Sequence, residues 1–253
     1  MEPTAYANLI DSQGEHWWYR ARREILAEVL AALTLPQDAR ILEVGCGAGG
    51  NLPMLGRYGR VMAVELDTAA RHHARAFSGI DVQAGWLPDG LPFDGQAFDL
   101  ICLFDVLEHI QDDRGALAAL GARLKPRGHL VLTVPAHQWL YGRHDRWLCH
   151  FRRYGHRQLA EVLEANGFGV RRLHYFNCLL FPVVLVVRWL DRDRHRRSWG
   201  TATPPAWLNG LLYQLFRLER HWLRRRGFPV GVSLVAVASP LSERRTTPPV
   251  TPG

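Results

Sequence analysis

The run ILEVGCGAGGN, residues 41–51, sets four glycines within six positions directly behind an apolar segment. Such a segment reads as a buried strand, and the glycines behind it as a tight turn into a helix. Without Cβ atoms a ligand can approach the main chain there, and unpaired backbone N–H groups at the helix start are expected to face outward.

The remainder alternates in the same way. HWWYRARREILAEVLAALTL has apolar residues at helical spacing and ends before Pro36. After the glycine turn come a short helix in NLPMLGRYG, a strand in RVMAVELD, a helix in TAARHHARAF capped by Asp67 or Thr68, and a weaker strand in IDVQAG. AFDLICLFDVLEHI is a strongly apolar fourth strand, DDRGALAALGARLKPRG a helix closed by Pro126 and Gly128, and HLVLTVPA a fifth strand. A polar, aromatic stretch from His137 to Gly155 precedes the helix HRQLAEVLEANGF and a sixth strand near GVRRLHYF. GVSLVAVASP is the last strand. Right-handed crossovers between such elements predict an α/β fold, a doubly wound, mostly parallel seven-stranded Rossmann-like sheet. A helix precedes its first strand, and a helical insertion separates its last two.

Residues 1–240 are expected to form one domain, with 178–227 as the insertion and 241–253 as a disordered tail. Within the insertion, Leu208, Leu211, Leu212, Leu215, Leu218 and Trp222 recur at steps of three and four, the pattern of an amphipathic helix. The apolar run from Cys178 to Val187 is too short for the roughly 20 residues of a spanning helix. Charge gathers here too. Between 171 and 226 there are twelve arginines against three acidic residues, in a chain of net charge +7. A cationic block with apolar faces suits a lid over a site or a surface resting on anionic lipid. Nucleic acid is disfavoured as a partner, because base-stacking aromatics are not interleaved with the arginines. The four cysteines are scattered without C-x-x-C spacing and the N-terminus shows no secretory pattern, so a reducing cytoplasm is expected, with membrane association through the insertion.

The glycine spacing alone is ambiguous. Gly45, Gly47 and Gly50 satisfy G-x-G-x-x-G, the dinucleotide pattern, while Gly45, Gly47 and Gly49 satisfy G-x-G-x-G. Glu65 ends the second strand, where a carboxylate can accept from ribose hydroxyls. Glu43 lies inside the first strand, and a buried acid there needs a reason. It can orient the glycine loop and a ligand ammonium.

With LEVGCGAGG, AVELD, AGWLP, FDLICLFDVLEHI and LKPRGHLVLTVP together, the chain resembles the class I S-adenosylmethionine-dependent methyltransferases from about Trp17 to Ala238. The resemblance implies S-adenosylmethionine as cofactor. Gly45, Cys46 and Gly47 would line its methionine part with Glu43 behind them, Gly49 would belong to the same cofactor site, and Glu65 would hold the ribose. Trp86 and Leu87 would meet the adenine, although many members carry aspartate where Trp86 stands, and Leu66 is a further cofactor-binding candidate. The Phe104 carbonyl would lie near the methionine ammonium, and Arg20 would reach the carboxylate. HWWYRARR, HFRRYGHRQLAEVLEANGF and FPVGVSLVAVA resemble, more narrowly, a bacterial subgroup associated with polysaccharide or lipid-linked glycan pathways.

The expected reaction is in-line methyl transfer to a small or lipid-linked, anionic or amphiphilic acceptor, at oxygen. His109, His150 and Tyr154 are the candidate bases, and Tyr141, Arg152 and Arg153 the candidate acceptor contacts. His109 could equally cap its strand, and Arg152 and Arg153 could pair with nearby acids. RHDRWLCH offers His144, Asp145 and His150, but at no metal-ligand spacing, so no metal is expected. Two other readings stay open: a nicotinamide-dependent oxidoreductase, and an RNA-binding or non-catalytic cofactor-binding protein.

Overall fold

Strands covered on both faces read as near-continuous apolar runs, and the computed structural model, which describes residues 10, 12–190, 203–223 and 227–241, shows that covering. Seven strands form one sheet: β1 (Arg40–Val44), β2 (Arg60–Val64), β3 (Val82–Gln83), β4 (Phe98–Phe104), β5 (Leu124–Pro135), β6 (Phe168–Phe176) and β7 (Ser233–Pro240). Their order is β3-β2-β1-β4-β5-β7-β6, parallel from β3 to β5, with β7 antiparallel to both of its neighbours.

Side-chain alternation divides the core. Ile101 and Leu103 of β4, Leu130, Leu132 and Val134 of β5, and Leu234, Ala236 and Ala238 of β7 pack on one face. Helices α4 (Asp113–Gly121) and α6 (His156–Ala165) cover them through Leu117, Leu120, Leu159 and Leu163. Leu100, Cys102, Phe104, Val131, Val235 and Val237 point the other way, against α1 (Trp17–Ala31), which contributes Ala21, Ile25, Leu26, Val29 and Leu30. The same period of two sets Glu43 on the α1 side of β1, beside Ile41.

Between α1 and α4 lie α2 (Leu52–Leu55) behind the glycine turn and α3 (Thr68–Ser78) after β2. Asp67 caps α3, its carboxylate accepting from the Ala70 N–H at 2.8 Å. One element boundary differs from the sequence pattern. The fourth helix stops at Gly121, and Pro126 and Gly128 lie inside β5, because Leu124 already pairs with Phe98 before a register shift. The stretch after β5 holds a helix, α5 (Arg143–Trp147), that composition did not foretell.

The insertion contributes α7 (Phe181–Leu190), α8 (Ala206–Arg217) and α9 (Arg220–Leu223). Helix α8 lies on α1: Asn209 accepts from the Trp17 N–H at 2.8 Å, Phe216 is fully buried, and Glu24 of α1 pairs with Arg220 and Tyr213. The buried face is therefore Asn209, Leu212, Tyr213 and Phe216, while Leu211, Leu215 and Leu218 of the expected stripe are exposed. Residues 191–202 and 224–226 of the insertion, and the expected disordered tail after 241, lie outside the described residues.

Candidate active site

Three glycines of the turn adopt left-handed backbone, with φ of 70° at Gly45, 55° at Gly47 and 85° at Gly49, which L residues rarely take. Two are also tightly packed. A Cβ on Gly45 would stand 2.7 Å from the Val106 side chain, and one on Gly49 would stand 2.9 Å from the Ala74 backbone on α3. The turn is thus drawn against the end of β4 and the start of the following crossover.

Its N–H groups are not all turned outward as the sequence suggested. Gly45 and Cys46 donate to the Val64 carbonyl, Gly49 donates to the Cys46 carbonyl, and Gly47 donates to the Glu65 carboxylate at 2.8 Å. The other Glu65 oxygen accepts from the Asp67 N–H at 2.9 Å. Each carboxylate oxygen has two lone pairs, so this anchoring leaves Glu65 capacity to accept from a sugar diol. Glu43 is 1% exposed; one oxygen accepts from the Asn51 amide at 2.8 Å and the other has no partner. Burial pushes its carboxyl up to about 8, against the pull of Asn51 and Arg22. An unpaired buried oxygen beneath a glycine turn fits a cationic ligand group such as an ammonium. Cys46 is buried, and burial with the two carboxylates raises its thiol far above the usual range. That makes it lining, not a nucleophile.

Leu66 and Trp86 follow neighbouring strands paired at Val64 and Gln83, and each exposes more than half its surface at that edge. Trp86 pairs its backbone with Gly90, across whose open side its indole lies. Leu87 packs on the core. These are the apolar surfaces available to an adenine.

Arg20 lies elsewhere: it is exposed and its guanidinium stacks on Tyr213 of α8, 4.3 Å from the ring centroid. Two residues on, and so on the opposite side of the helix, Arg22 is the one that reaches the sheet. It is 5% exposed, pairs with Asp105 at 2.7 Å, donates to Thr133 at 2.7 Å and lies over Phe104. Asp105 itself has a φ of 58°, and its N–H and carboxylate both engage Thr133. This lock joins α1 to the ends of β4 and β5 beside the Phe104 carbonyl. The signal for it was present: Arg22 falls within the apolar stripe of Ala21, Ile25 and Val29.

On the acceptor side the structure separates the candidates. Tyr154 is fully buried and donates to Asp113 at 2.8 Å, which with burial raises its phenol far above the ordinary range. A phenol so enclosed is a core strut, not a base. Arg153 is buried on Asp145 at 2.7 Å and on the Ala136 carbonyl, and Arg152 is spent on Asp113 and the Gln111 carbonyl. The Arg153 guanidinium is closed to an acceptor, while that of Arg152 stays partly exposed beside its pairing with Asp113. Tyr141 donates to the His150 carbonyl at 2.7 Å and braces that loop.

His109 and His150 do meet, edge to face, 4.6 Å between ring centroids. Asp145 holds Nδ1 of His150 at 3.0 Å, and Nε2 lies 4.0 Å from Glu108, which is fully buried. Burial, aided by His150, pushes His109 down to about 3, so it is a poor proton acceptor. The loop is stitched to this place by the Phe151 N–H donating to the Glu108 carbonyl at 2.8 Å.

Comparison with known proteins agrees with this geometry. A family model for a methyltransferase domain matches residues 17–173. A probable S-adenosylmethionine-dependent methyltransferase of Mycolicibacterium smegmatis is 29% identical over 62% of this chain and 61% of its own length. A ubiquinone biosynthesis O-methyltransferase of Xanthomonas axonopodis is 28% identical over 49% of this chain and 54% of its own. The chain thus spans only about half to three fifths of these relatives. Among solved structures, a methyltransferase-like protein of Haloferax volcanii in complex with the Trm112 activator covers 94% of this chain and 95% of its own, with a TM-score of 0.60 at 20% identity, a likeness of fold.

Proposed function

The chain belongs to the methyltransferase-domain family of S-adenosylmethionine-dependent enzymes, and from that premise we propose that it transfers a methyl group to an oxygen of a small or lipid-linked acceptor. The observation that carries the reading is the left-handed glycine turn held between Glu65, which grips it, and Glu43, whose second oxygen is buried and unpaired. The sheet order supports it over the nicotinamide alternative: dinucleotide-binding sheets of this class run 3-2-1-4-5-6, whereas here an antiparallel β7 is inserted between β5 and β6.

When bound, S-adenosylmethionine supplies a methyl group already activated on a sulfonium, so the protein's task is positioning and exclusion of water. Glu65 accepts from the ribose while keeping Gly47 in place. Glu43 offers a carboxylate to the ammonium, and Arg22, already neutralised by Asp105, closes the floor below. Glu108, His109 and His150 line the acceptor side. The oxygen preference is supported by the likeness to an O-methyltransferase, and the lipid-linked preference by the exposed apolar face of the insertion. Among the described residues, no helix is long and apolar enough to cross a membrane, so contact with lipid would be peripheral.

Calorimetry with S-adenosylhomocysteine tests the cofactor half, with micromolar binding expected. Binding of NADH instead would overturn it. Incubating the chain with methyl-labelled cofactor and cell extract, then locating the label by mass spectrometry, tests the acceptor half; label on nitrogen or carbon would overturn the oxygen assignment.

A further inference from the structure

Near the glycine turn, the side chains of Glu108, His109 and His150 converge from two distant segments. Glu108 is fully buried, and neither of its carboxylate oxygens has a hydrogen-bond partner. A buried carboxyl left so is costly unless something neutralises or binds it. His150 directs Nε2 toward it from 4.0 Å, too far for a hydrogen bond. With His109, one ligand atom from each of the three lies within 4.8 Å of the others.

One of the two imidazoles is held by a carboxylate at its other nitrogen. His150 Nδ1 faces Asp145 Oδ1 at 3.0 Å, and Asp145 is fixed in turn by Arg153 and by the Gly142 N–H at 2.9 Å. A carboxylate on the outer nitrogen of His150 fixes its tautomer and aims the free lone pair of Nε2 inward, the arrangement found around histidines that bind metals.

We propose that Glu108, His109 and His150 bind a divalent first-row transition metal ion, with coordination positions left open toward the acceptor side of the crevice. Two imidazoles and one carboxylate are a donor set that such ions accept, and three protein ligands leave room for a water or substrate oxygen. Metal bonds of about 2.0–2.2 Å set neighbouring ligand atoms roughly 3–3.5 Å apart, so shifts of about an ångström close the site. The position agrees, since Val106, two residues before Glu108, packs against Gly45 of the cofactor turn. The use of the open positions rests on the methyl-transfer reading: there they hold the acceptor's hydroxyl oxygen and lower its pKa. Ion binding itself does not depend on that reading. The sequence argued against a metal from the spacing around His144 and Asp145, whereas the converging ligands lie some forty residues apart.

The full chain, stripped with a chelator, is titrated with Co²⁺ and followed by calorimetry and visible absorption, with S-adenosylhomocysteine binding measured on the same sample. One equivalent of Co²⁺ with ligand-field bands is expected, weakened on the order of 100-fold in Glu108→Gln and in His109→Ala, each checked for folding by circular dichroism. Absence of a bound equivalent, or equal binding by the folded variants, overturns the site. Should a variant fail to fold, the wild-type spectrum decides: bands typical of cobalt held by nitrogen and oxygen support the site, and the spectrum of the aquo ion overturns it. Cobalt bound without S-adenosylhomocysteine binding counts against methyl transfer and not the metal; the opposite result counts against the metal alone.

Discussion

The Gly47 N–H donates to the Glu65 carboxylate at 2.8 Å, so the residue expected to hold the cofactor's ribose also holds the turn against which the cofactor lies. Binding and pre-organisation are therefore coupled through one side chain. Glu65→Ala removes both, and two charge-assisted hydrogen bonds of about 1.5–3 kcal/mol each correspond to well over 100-fold weaker S-adenosylhomocysteine binding. Glu65→Gln keeps one acceptor oxygen and is expected to lose about tenfold. Calorimetry on the two variants separates this from a purely structural role, which would lower the melting temperature without grading the affinities.

Glu43 predicts a pH dependence. Its carboxyl is raised by burial from an ordinary 4.5 to about 8, so between those values the unliganded folded protein holds a proton that the unfolded chain has released. Stability of the unliganded protein therefore falls as pH rises through that window. Cofactor binding runs the other way: a cationic ammonium favours the ionised carboxylate, and affinity should strengthen by up to about tenfold per pH unit between pH 6 and 8, then level off. Glu108 and Glu219 are shifted in the same direction, so the difference between wild type and Glu43→Gln is the informative quantity. A variant with an unchanged pH slope in calorimetry would count against the assignment.

How much of this was legible differs from one residue to another. The strands stood out because a sheet covered on both faces leaves unbroken apolar runs, and Glu43 and Glu65 stood out as acids within or at the end of such runs. Arg22 could have been found, since it interrupts the apolar stripe of α1, but choosing it over Arg20 requires knowing which face of the helix meets the sheet. The exposed stripe of α8 shows what spacing leaves open: it marks an amphipathic helix without saying whether the apolar side is inside. The meeting of Glu108 and His109 with His150 depends on how the loop after β5 folds back, fixed by backbone hydrogen bonds that leave no pattern in the sequence.

Arg22 and Arg20 supply a paired test. Arg22→Ala leaves Asp105 without its cation at the ends of β4 and β5, and breaking a largely buried pair of this kind costs about 3–5 kcal/mol. Arg20→Ala removes an exposed cation lying on Tyr213 and should cost no more than about 1 kcal/mol. Urea denaturation measures both. Equal losses would mean that the lock at Asp105 is not what holds α1 to the sheet.

Tyr154→Phe distinguishes a strut from a base. Removing the hydroxyl takes one hydrogen bond from Asp113, which still pairs with Arg152, so a loss of about 1–2 kcal/mol is expected. Methyl transfer, once an acceptor is in hand, should be retained within a few-fold. A drop of a hundredfold or more in kcat with a folded protein would return Tyr154 to the chemistry.

The insertion carries the remaining prediction. Trp207, Leu211, Leu215, Leu218 and Trp222 follow one another at steps of four, four, three and four, and all are exposed while α8 buries its other side on α1. An apolar stripe left outside by α8 and α9, which already pack on α1, has a use if it meets lipid, and the arginine-rich composition of this part of the sequence favours anionic headgroups. The chain should therefore sediment with vesicles containing anionic lipid, less so with zwitterionic ones, and be released in part by raised salt. Trp207→Ser with Trp222→Ser should abolish sedimentation without disturbing S-adenosylhomocysteine binding, because neither indole belongs to the cofactor crevice. Equal recovery of wild type and variant in the vesicle pellet would remove the lipid surface, and with it the main support for a lipid-linked acceptor over a small soluble one.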